Sequence, residues 1–358
     1  MKKIVSVVGA RPQFIKAAAV SRHIRKYLSE ILVHTGQHYD ENLSKIFFDD
    51  MDIPRPDYNL DVGSGSHGYQ TGCIMENVEK VLMREKPAAV MVYGDTNTTL
   101  GSAIAAAKLT IPVFHVEAGL RSGNMKMPEE INRILTDKCS DLLFCPTENA
   151  VKNAAAEGIT KGVYLTGDVM YDAALFFREK SGGCSKILDS LKLKPGSYIL
   201  CTVHRAENTD NRDNMAEIVD ALLEAPLPVV LPLHPRTKKM LNQYHLISKL
   251  KETKHIQIID PVGYLDMIQL EINAKKIVTD SGGVQKEAYF YRVPCITLRN
   301  DTEWVETVED RWNKLVGSNR ERILEAIFHF SPDHSQNQFY GQGNSGEIIS
   351  GFINDFLA

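Results

Sequence analysis

The 358-residue chain has no excess of basic residues: 41 Lys and Arg stand against 45 Asp and Glu, a formal charge of −4. No basic surface therefore marks it for nucleic acid or for an anionic membrane. None of its six cysteines forms a CxxC pair, and several sit in apolar runs such as LLFCPT and YILCTV. That pattern speaks against a disulfide framework and for reduced thiols in a cytoplasmic protein. No apolar run approaches the length that spans a bilayer, so no membrane segment is expected. The first apolar run, IVSVVG, breaks at once into ARPQ, which suits a first β-strand better than a signal peptide. The first strand-to-helix turn, GARPQFIK, lacks GxGxxG, and neither GxxxxGK[ST] nor HExxH occurs. Nicotinamide, flavin, P-loop and zincin chemistry lose their usual signatures with them, and neither cofactor nor metal is expected.

What is present is alternation. Short β-branched runs, IVSVVG, EILVHT, AAVMVYG, IPVFHVE, DLLFCPT and GVYLTG, are separated by stretches with helical spacing. Such alternation predicts βαβ units and a doubly wound parallel sheet. The helix starts carry polar caps, Asp95-Thr96-Asn97-Thr98 and Thr147-Glu148-Asn149. From Phe177 the pattern lapses into REKSGGCSKILDSLKLKPGS, a composition that suits a domain boundary. Alternation then restarts with YILCTV, LPVVLPL, IQIID, KIVTD and VPCITL. The expected architecture is α/β, with two Rossmann-like halves over residues 1–176 and 177–340, a cleft between them, and a terminal helix over 341–358.

The residues that carry chemistry collect at predicted strand ends. Asp95 follows AAVMVYG, Glu117 follows IPVFHV, and Glu129 lies in the Pro128-Glu129-Glu130 entry to a helix. In a parallel sheet the strand C-termini share one edge, where ligands bind. Acids gathered there form either a proton-transfer set or a metal cage. Without a cluster of ligand histidines, proton transfer suits them better. Arg11 and Lys16 lie on the first strand-to-helix turn, GARPQFIK, able to address an anion. In the second half, TVHRAEN and LHPRT each place a His and an Arg just after a strand, which suggests a phosphate site. TDSGGVQKEA then sets Ser281, Gly282 and Gly283 between a strand and a helix. Free N–H groups and a positive helix end suit a nucleotide diphosphate, and Glu287, one turn in, suits ribose hydroxyls.

In order along the chain, GARPQFIK, TGQH, YGDTNTT, HVEAGLRSGN, PEEINR, PTE, TGD, VHRAEN, HPRT, TDSGGVQKEA and TEWVE resemble the non-hydrolysing UDP-N-acetylglucosamine 2-epimerase family. The resemblance covers nearly the whole chain. It implies a GT-B-like fold, a homodimer, hinge closure on a UDP-sugar, and neither metal nor nicotinamide. The implied reaction interconverts UDP-GlcNAc and UDP-ManNAc by eliminating UDP to a 2-acetamidoglucal and adding it back, for surface polysaccharide precursors. By motif, Asp95, Glu117 and Glu129 are then the catalytic acids, and His204 stabilises the departing UDP. Arg11, Lys16 and Arg133 bind substrate or hold the carboxylates; Ser281, Gly282 and Gly283 hold the diphosphate and Glu287 the ribose. TEWVE carries Trp304 where well-known bacterial members have arginine, and YDENLS after Gln37-His38 departs from their activator-site pattern. These departures resemble the branch that includes UDP-2,3-diacetamido-2,3-dideoxyglucuronate 2-epimerases. A uronate substrate calls for a further cation, with Arg11, Arg121 and Lys126 as candidates. A GT-B glycosyltransferase and a hydrolysing 2-epimerase are the alternatives of other classes.

Overall fold

The computed structural model describes residues 1–36 and 55–358, with Arg11 described by its backbone alone. The chain divides into two compact units, Met1–Leu175 with Gln338–Ala358, and Phe176–Asn337.

The first unit is built on a parallel sheet of β1 (Lys3–Val8), β2 (Ser29–His34), β3 (Tyr58–Asn59), β4 (Ala89–Tyr93), β5 (Val113–Val116), β6 (Leu142–Cys145) and β7 (Val163–Leu165). The strand order is β3-β2-β1-β4-β5-β6-β7. Helices cover both faces, so β4, β5 and β6 are buried at every residue and read as apolar runs rather than as alternation. Each fully buried Val, Ile or Leu side chain in such a layer contributes roughly 1.5–3 kcal/mol. Strand order reverses between β1 and β4, the point at which open α/β sheets take ligands. Val7 pairs with Val92, and Tyr93 with Val116, so the ends of β1, β4 and β5 lie level at one edge. Within the two expected capping stretches, Thr96 and Thr147 are the caps of the helices Asn97–Lys108 and Glu148–Ala156. The terminal helix Ser345–Leu357 packs on the helix Arg11–Ile24, where a Cβ at Gly346 would stand 2.6 Å from the Ala19 carbonyl oxygen.

The second unit repeats the design with β8 (Ile199–Thr202), β9 (Val229–Pro232), β10 (Ile256–Ile259), β11 (Lys276–Thr279), β12 (Cys295–Thr297) and β13 (Asn313–Leu315), in the order β10-β9-β8-β11-β12-β13. Its core joins Ile199, Cys201, Leu231, Val278 and Ile296 of the sheet to Ile218, Val219 and Leu222 of the helix Arg212–Leu223. Its switch point lies between β8 and β11, where the Thr202 and Thr279 hydroxyls meet at 2.6 Å.

One reading is corrected. The stretch from Phe177 that looked irregular is helical through Cys184. Phe177 is fully buried with its ring edge-on to Tyr264, and the Gln269 amide donates to the buried Ser181 hydroxyl at 2.8 Å. Those anchors outweigh the roughly 1 kcal/mol that each of Gly182 and Gly183 costs a helix interior. All six cysteines are free thiols; burial pushes Cys145 and Cys295 up to about 12. Among the described residues no helix is long and apolar enough to cross a membrane.

Candidate active site

In the first unit the switch point is tied together by a residue to which the sequence reading gave no role. Gln13 is buried, and its side-chain oxygen accepts from the Gly9 and Ala10 amides at 2.8 and 3.0 Å. Its amide nitrogen donates to the Tyr93 carbonyl at 2.7 Å and to the Thr96 and Thr99 hydroxyls at 3.0 and 2.9 Å. One side chain thus locks the turn after β1 to the turn after β4.

Asp95 emerges from that second turn, its side chain about 32% exposed. Arg133, buried in the helix Pro128–Cys139, donates to Asp95 Oδ2 from Nε and Nη2 at 3.0 and 2.6 Å. Burial works to raise the Asp95 pKa, but the charges of Arg133, Lys16 and His115 outweigh it and hold the carboxyl below its ordinary value. Glu117, buried just past β5, carries φ = +70°, a left-handed backbone unusual for a residue with a side chain. Such strain persists where the surroundings over-determine it, commonly at functional sites. Its carboxylate is paired with the ammonium of Lys16, which is also buried. Gly94 makes room for that pair: a Cβ there would stand 2.9 Å from Lys16 Nζ and 3.2 Å from Glu117 Oε2, at φ = +65°.

Glu129 and Glu130, neighbours in one helical turn, have different surroundings. Glu130 is buried and accepts from the Ser122 and Gly123 amides at 3.0 and 2.9 Å and from Arg133 at 2.8 Å. It therefore braces the loop after β5 and the guanidinium that serves Asp95. Glu129 is half-buried, and its side chain makes no hydrogen bond or ion pair among the described residues.

Behind the edge lies a second charged layer. His115, fully buried on β5, faces Asp137 Oδ1 through Nδ1 at 2.7 Å and the Gly94 carbonyl oxygen through Nε2 at 2.8 Å. Asp137 Oδ2 also accepts from the Gly119 amide at 3.1 Å and from Arg121 at 2.8 Å. Arg121 makes a bidentate pair with Glu157, at 2.6 and 2.9 Å. The Arg121 charge is thus met by two carboxylates. Lys126 is exposed, the Arg11 side chain is not described, and Gln37, His38 and YDENLS lie outside the described residues.

In the second unit, Asp280, fully buried at the end of β11, organises the loop after β8. Its carboxylate accepts from the His204 amide at 3.0 Å, the Arg205 amide at 3.0 Å and the Asn208 side chain at 3.0 Å, and lies 3.5 Å from His204 Nδ1. Its signal was present in TDSGG: an acid between a strand and a glycine turn. Burial lowers the His204 pKa; Asp280 opposes this, and His234, with its ring centre 5.5 Å away, adds to it. Ser281 caps the helix Gly282–Phe290, its hydroxyl accepting from the Val284 amide at 3.5 Å. A Cβ at Gly283 would meet only the Ser281 hydroxyl, at 3.9 Å, so the backbone there is open to a ligand. Gly282 is closed in by Glu303 Oε1, 2.7 Å from a Cβ position, and by the Trp304 indole nitrogen at 3.4 Å. The Lys286 ammonium lies 4.0 Å above the Trp304 ring, and Glu287 is buried one turn into the helix.

Two doubly wound parallel sheets, each with its polar residues at the switch-point edge, define a GT-B-like enzyme of the α/β class. The model of one family, UDP-N-acetylglucosamine 2-epimerase, matches residues 22–354. A UDP-N-acetylglucosamine 2-epimerase homolog of Methanococcus maripaludis is 57% identical over 97% of this chain and 98% of its own. The UDP-2,3-diacetamido-2,3-dideoxy-D-glucuronate 2-epimerase of Pseudomonas aeruginosa is 50% identical over 98% of this chain and 99% of its own. The crystal structure of the Methanocaldococcus jannaschii UDP-GlcNAc 2-epimerase with UDP-GlcNAc and UDP superposes with a TM-score of 0.91, at 44% identity and 99% coverage of both chains. The chain belongs to the UDP-N-acetylglucosamine 2-epimerase family, and it is an epimerase.

Proposed function

We propose that the enzyme inverts C2 of UDP-N-acetylglucosamine to give UDP-N-acetylmannosamine, without hydrolysis. The observation that carries this is the pairing of Asp95 with Arg133 and of Glu117 with Lys16 at the level ends of β4 and β5. C2 of an N-acetyl sugar has no adjacent carbonyl to acidify its proton, so the anomeric C–O bond must break as the proton leaves. In the anti elimination one carboxylate takes the C2 proton. The C–H electron pair becomes the C1=C2 double bond of 2-acetamidoglucal, and the C1–O pair departs with UDP. Re-addition returns a proton to the other face of C2 while a β-phosphate oxygen re-forms the bond to C1. Asp95, Glu117 and Glu129 are the proton-transfer groups. Lys16, Arg133 and Arg11 hold carboxylates or sugar. His204 takes the charge that develops on the leaving diphosphate, held by Ser281, Gly282 and Gly283, with Glu287 on the ribose.

A second reading is favoured by the 50% identity to the P. aeruginosa diacetamido-glucuronate epimerase: the same chemistry on a uronate. The commitment of Arg121 to Asp137 and Glu157 weighs against it. Proton NMR in deuterated water, with both UDP-sugars run side by side, tests the proposal. Deuterium entering C2 of intact UDP-GlcNAc is the expected result. Release of free sugar would mean a hydrolase, and absence of C2 exchange with either substrate would refute the reading.

We further propose a cytoplasmic homodimer that feeds surface polysaccharide synthesis. Free cysteines support the compartment. The helix Pro128–Cys139 supports the dimer, because it buries Glu130, Asn132, Arg133 and Asp137 while exposing Ile131 and Leu135. Light scattering on Ile131→Glu with Leu135→Glu tests it: the dimer is expected to dissociate, and an unchanged mass would exclude this face.

A further inference from the structure

We propose that His115 is a positioning residue held as a buried imidazolium, both ring nitrogens donating, so that it pins the turn that presents Asp95. The partners require it. Nε2 faces the Gly94 carbonyl oxygen at 2.8 Å, and a carbonyl oxygen only accepts, so Nε2 carries a hydrogen. Nδ1 faces Asp137 Oδ1 at 2.7 Å. Either Nδ1–H donates to a carboxylate, or a protonated Asp137 donates to a bare Nδ1. The second arrangement is disfavoured because Asp137 Oδ2 accepts from Arg121 at 2.8 Å and from the Gly119 amide at 3.1 Å. Burial works to raise the Asp137 pKa, yet it lies below its ordinary value, and Arg121 lowers it through both its charge and its hydrogen bond. Two hydrogens on the ring make it a cation, and the group is fully buried. A buried charge persists only when it is paired and hydrogen-bonded, as this one is.

The ionisable groups around His115 are Asp137 of the helix Pro128–Cys139, Arg121 and, beyond it, Glu157, and Asp95 at the end of β4. His115 and Arg121 together balance Asp137 and Glu157, so the layer behind the site is close to neutral. Gly94 is the hinge of the design. Its carbonyl is fixed by His115, its amide donates to the Val116 carbonyl at 3.0 Å, and Asp95 follows directly. The imidazolium sets the direction from which Asp95 leaves the sheet, and its charge helps keep that carboxyl ionised.

Neutron diffraction from deuterium-exchanged crystals tests the charge directly, with no variant needed. Deuterons on both ring nitrogens of His115 and none on Asp137 are expected; a bare ring nitrogen, or a deuteron on Asp137, overturns the proposal. His115→Gln tests the positioning role. We expect kcat to fall about tenfold with KM changed by less than about twofold. The acid limb of the kcat/KM profile should move to higher pH, because a cation beside Asp95 has gone. An unmoved acid limb, with thermal stability alone reduced, would make His115 purely structural and overturn the role. The activity arm rests on the epimerase reading. Wild-type enzyme without C2 exchange refutes that reading, whereas the ring deuterons decide this one.

Discussion

Binding of UDP is expected to draw a proton onto His204. In the free protein burial lowers the His204 pKa, and His234, Arg205 and Arg236 add to that against the opposition of Asp280, so the ring is neutral at neutral pH. A diphosphate placed between His204 and the open helix end at Gly283 reverses the balance, because the anion stabilises the imidazolium. Asp280, 3.5 Å from Nδ1, adds a second negative charge that favours the imidazolium. The sign follows. The complex binds more protons than the free protein, so affinity is greatest on the acid side and weakens as pH rises through the raised pKa. A single coupled proton limits the slope to about tenfold in Kd per pH unit. Calorimetric titration with UDP in buffers of different ionisation enthalpy measures the uptake directly. The useful window lies between about pH 7 and 8.5, above the second ionisation of a terminal phosphate near 6. We expect an uptake approaching about one proton at the acid end of that window. His204→Gln should abolish it. Asp280→Asn should reduce it and also destabilise the second unit by about 1.5–3 kcal/mol, because charge-assisted bonds to His204, Arg205 and Asn208 become neutral. No proton uptake in this window, or the same uptake in His204→Gln, would refute the reasoning.

Asp95→Asn and Glu117→Gln should leave UDP affinity within about threefold and cut C2 deuterium exchange by roughly 10²–10⁴; unchanged exchange would remove either residue from the proton-transfer set. Lys16→Met takes an ammonium from a buried carboxylate and should cost about 3–5 kcal/mol in calorimetric unfolding. Adding Glu117→Gln should restore at least about 2 kcal/mol, and a strictly additive double variant would mean that the pair does not couple. Gly94→Ala forces a Cβ into the left-handed region and towards the Lys16–Glu117 pair. Its turnover should fall about tenfold or more with UDP affinity retained, and full activity would show that the pair can shift without consequence.

The frame was legible because of a physical coincidence between burial and pattern. Strands covered on both faces read as unbroken apolar runs, and β4, β5, β6 and β8 were visible for that reason. The two doubly wound halves followed from the same alternation, whereas the GT-B-like class came with the family resemblance that the ordered motifs carry. What the linear pattern hid were residues whose role is made by other chain segments. Gln13 looked like a turn residue, yet it bonds groups 80 and more positions away. Asp280 stood in plain view in TDSGG, but its partners lie more than 70 residues upstream. Glu129 and Glu130 were indistinguishable by type; one helical step, about 100° of rotation, separates the brace from the half-buried acid. The helix they open inverts the usual rule by burying its polar face, so periodicity pointed away from the residues that matter. The continuation of the helix through Gly182-Gly183 was hidden because composition argued for a break and only packing argued for order.

The two switch points also differ in how they handle charge, and the difference matches the two halves of the proposed reaction. At the edge of β4 and β5 three acids are met by fixed cations: Asp95 by Arg133, Glu117 by Lys16, Asp137 by Arg121. Paired carboxylates are preorganised and change little as a proton passes, which suits a step that must run in both directions on one substrate. At the edge of β8 and β11 Asp280 is spent on the backbone of its own loop, His204 is held neutral, and the open amides at Gly283 carry only partial charge. A site of that kind gains charge complementarity only when an anion arrives or grows. It would therefore hold UDP more strongly after the C1–O bond has broken than before, which is the differential binding an elimination requires.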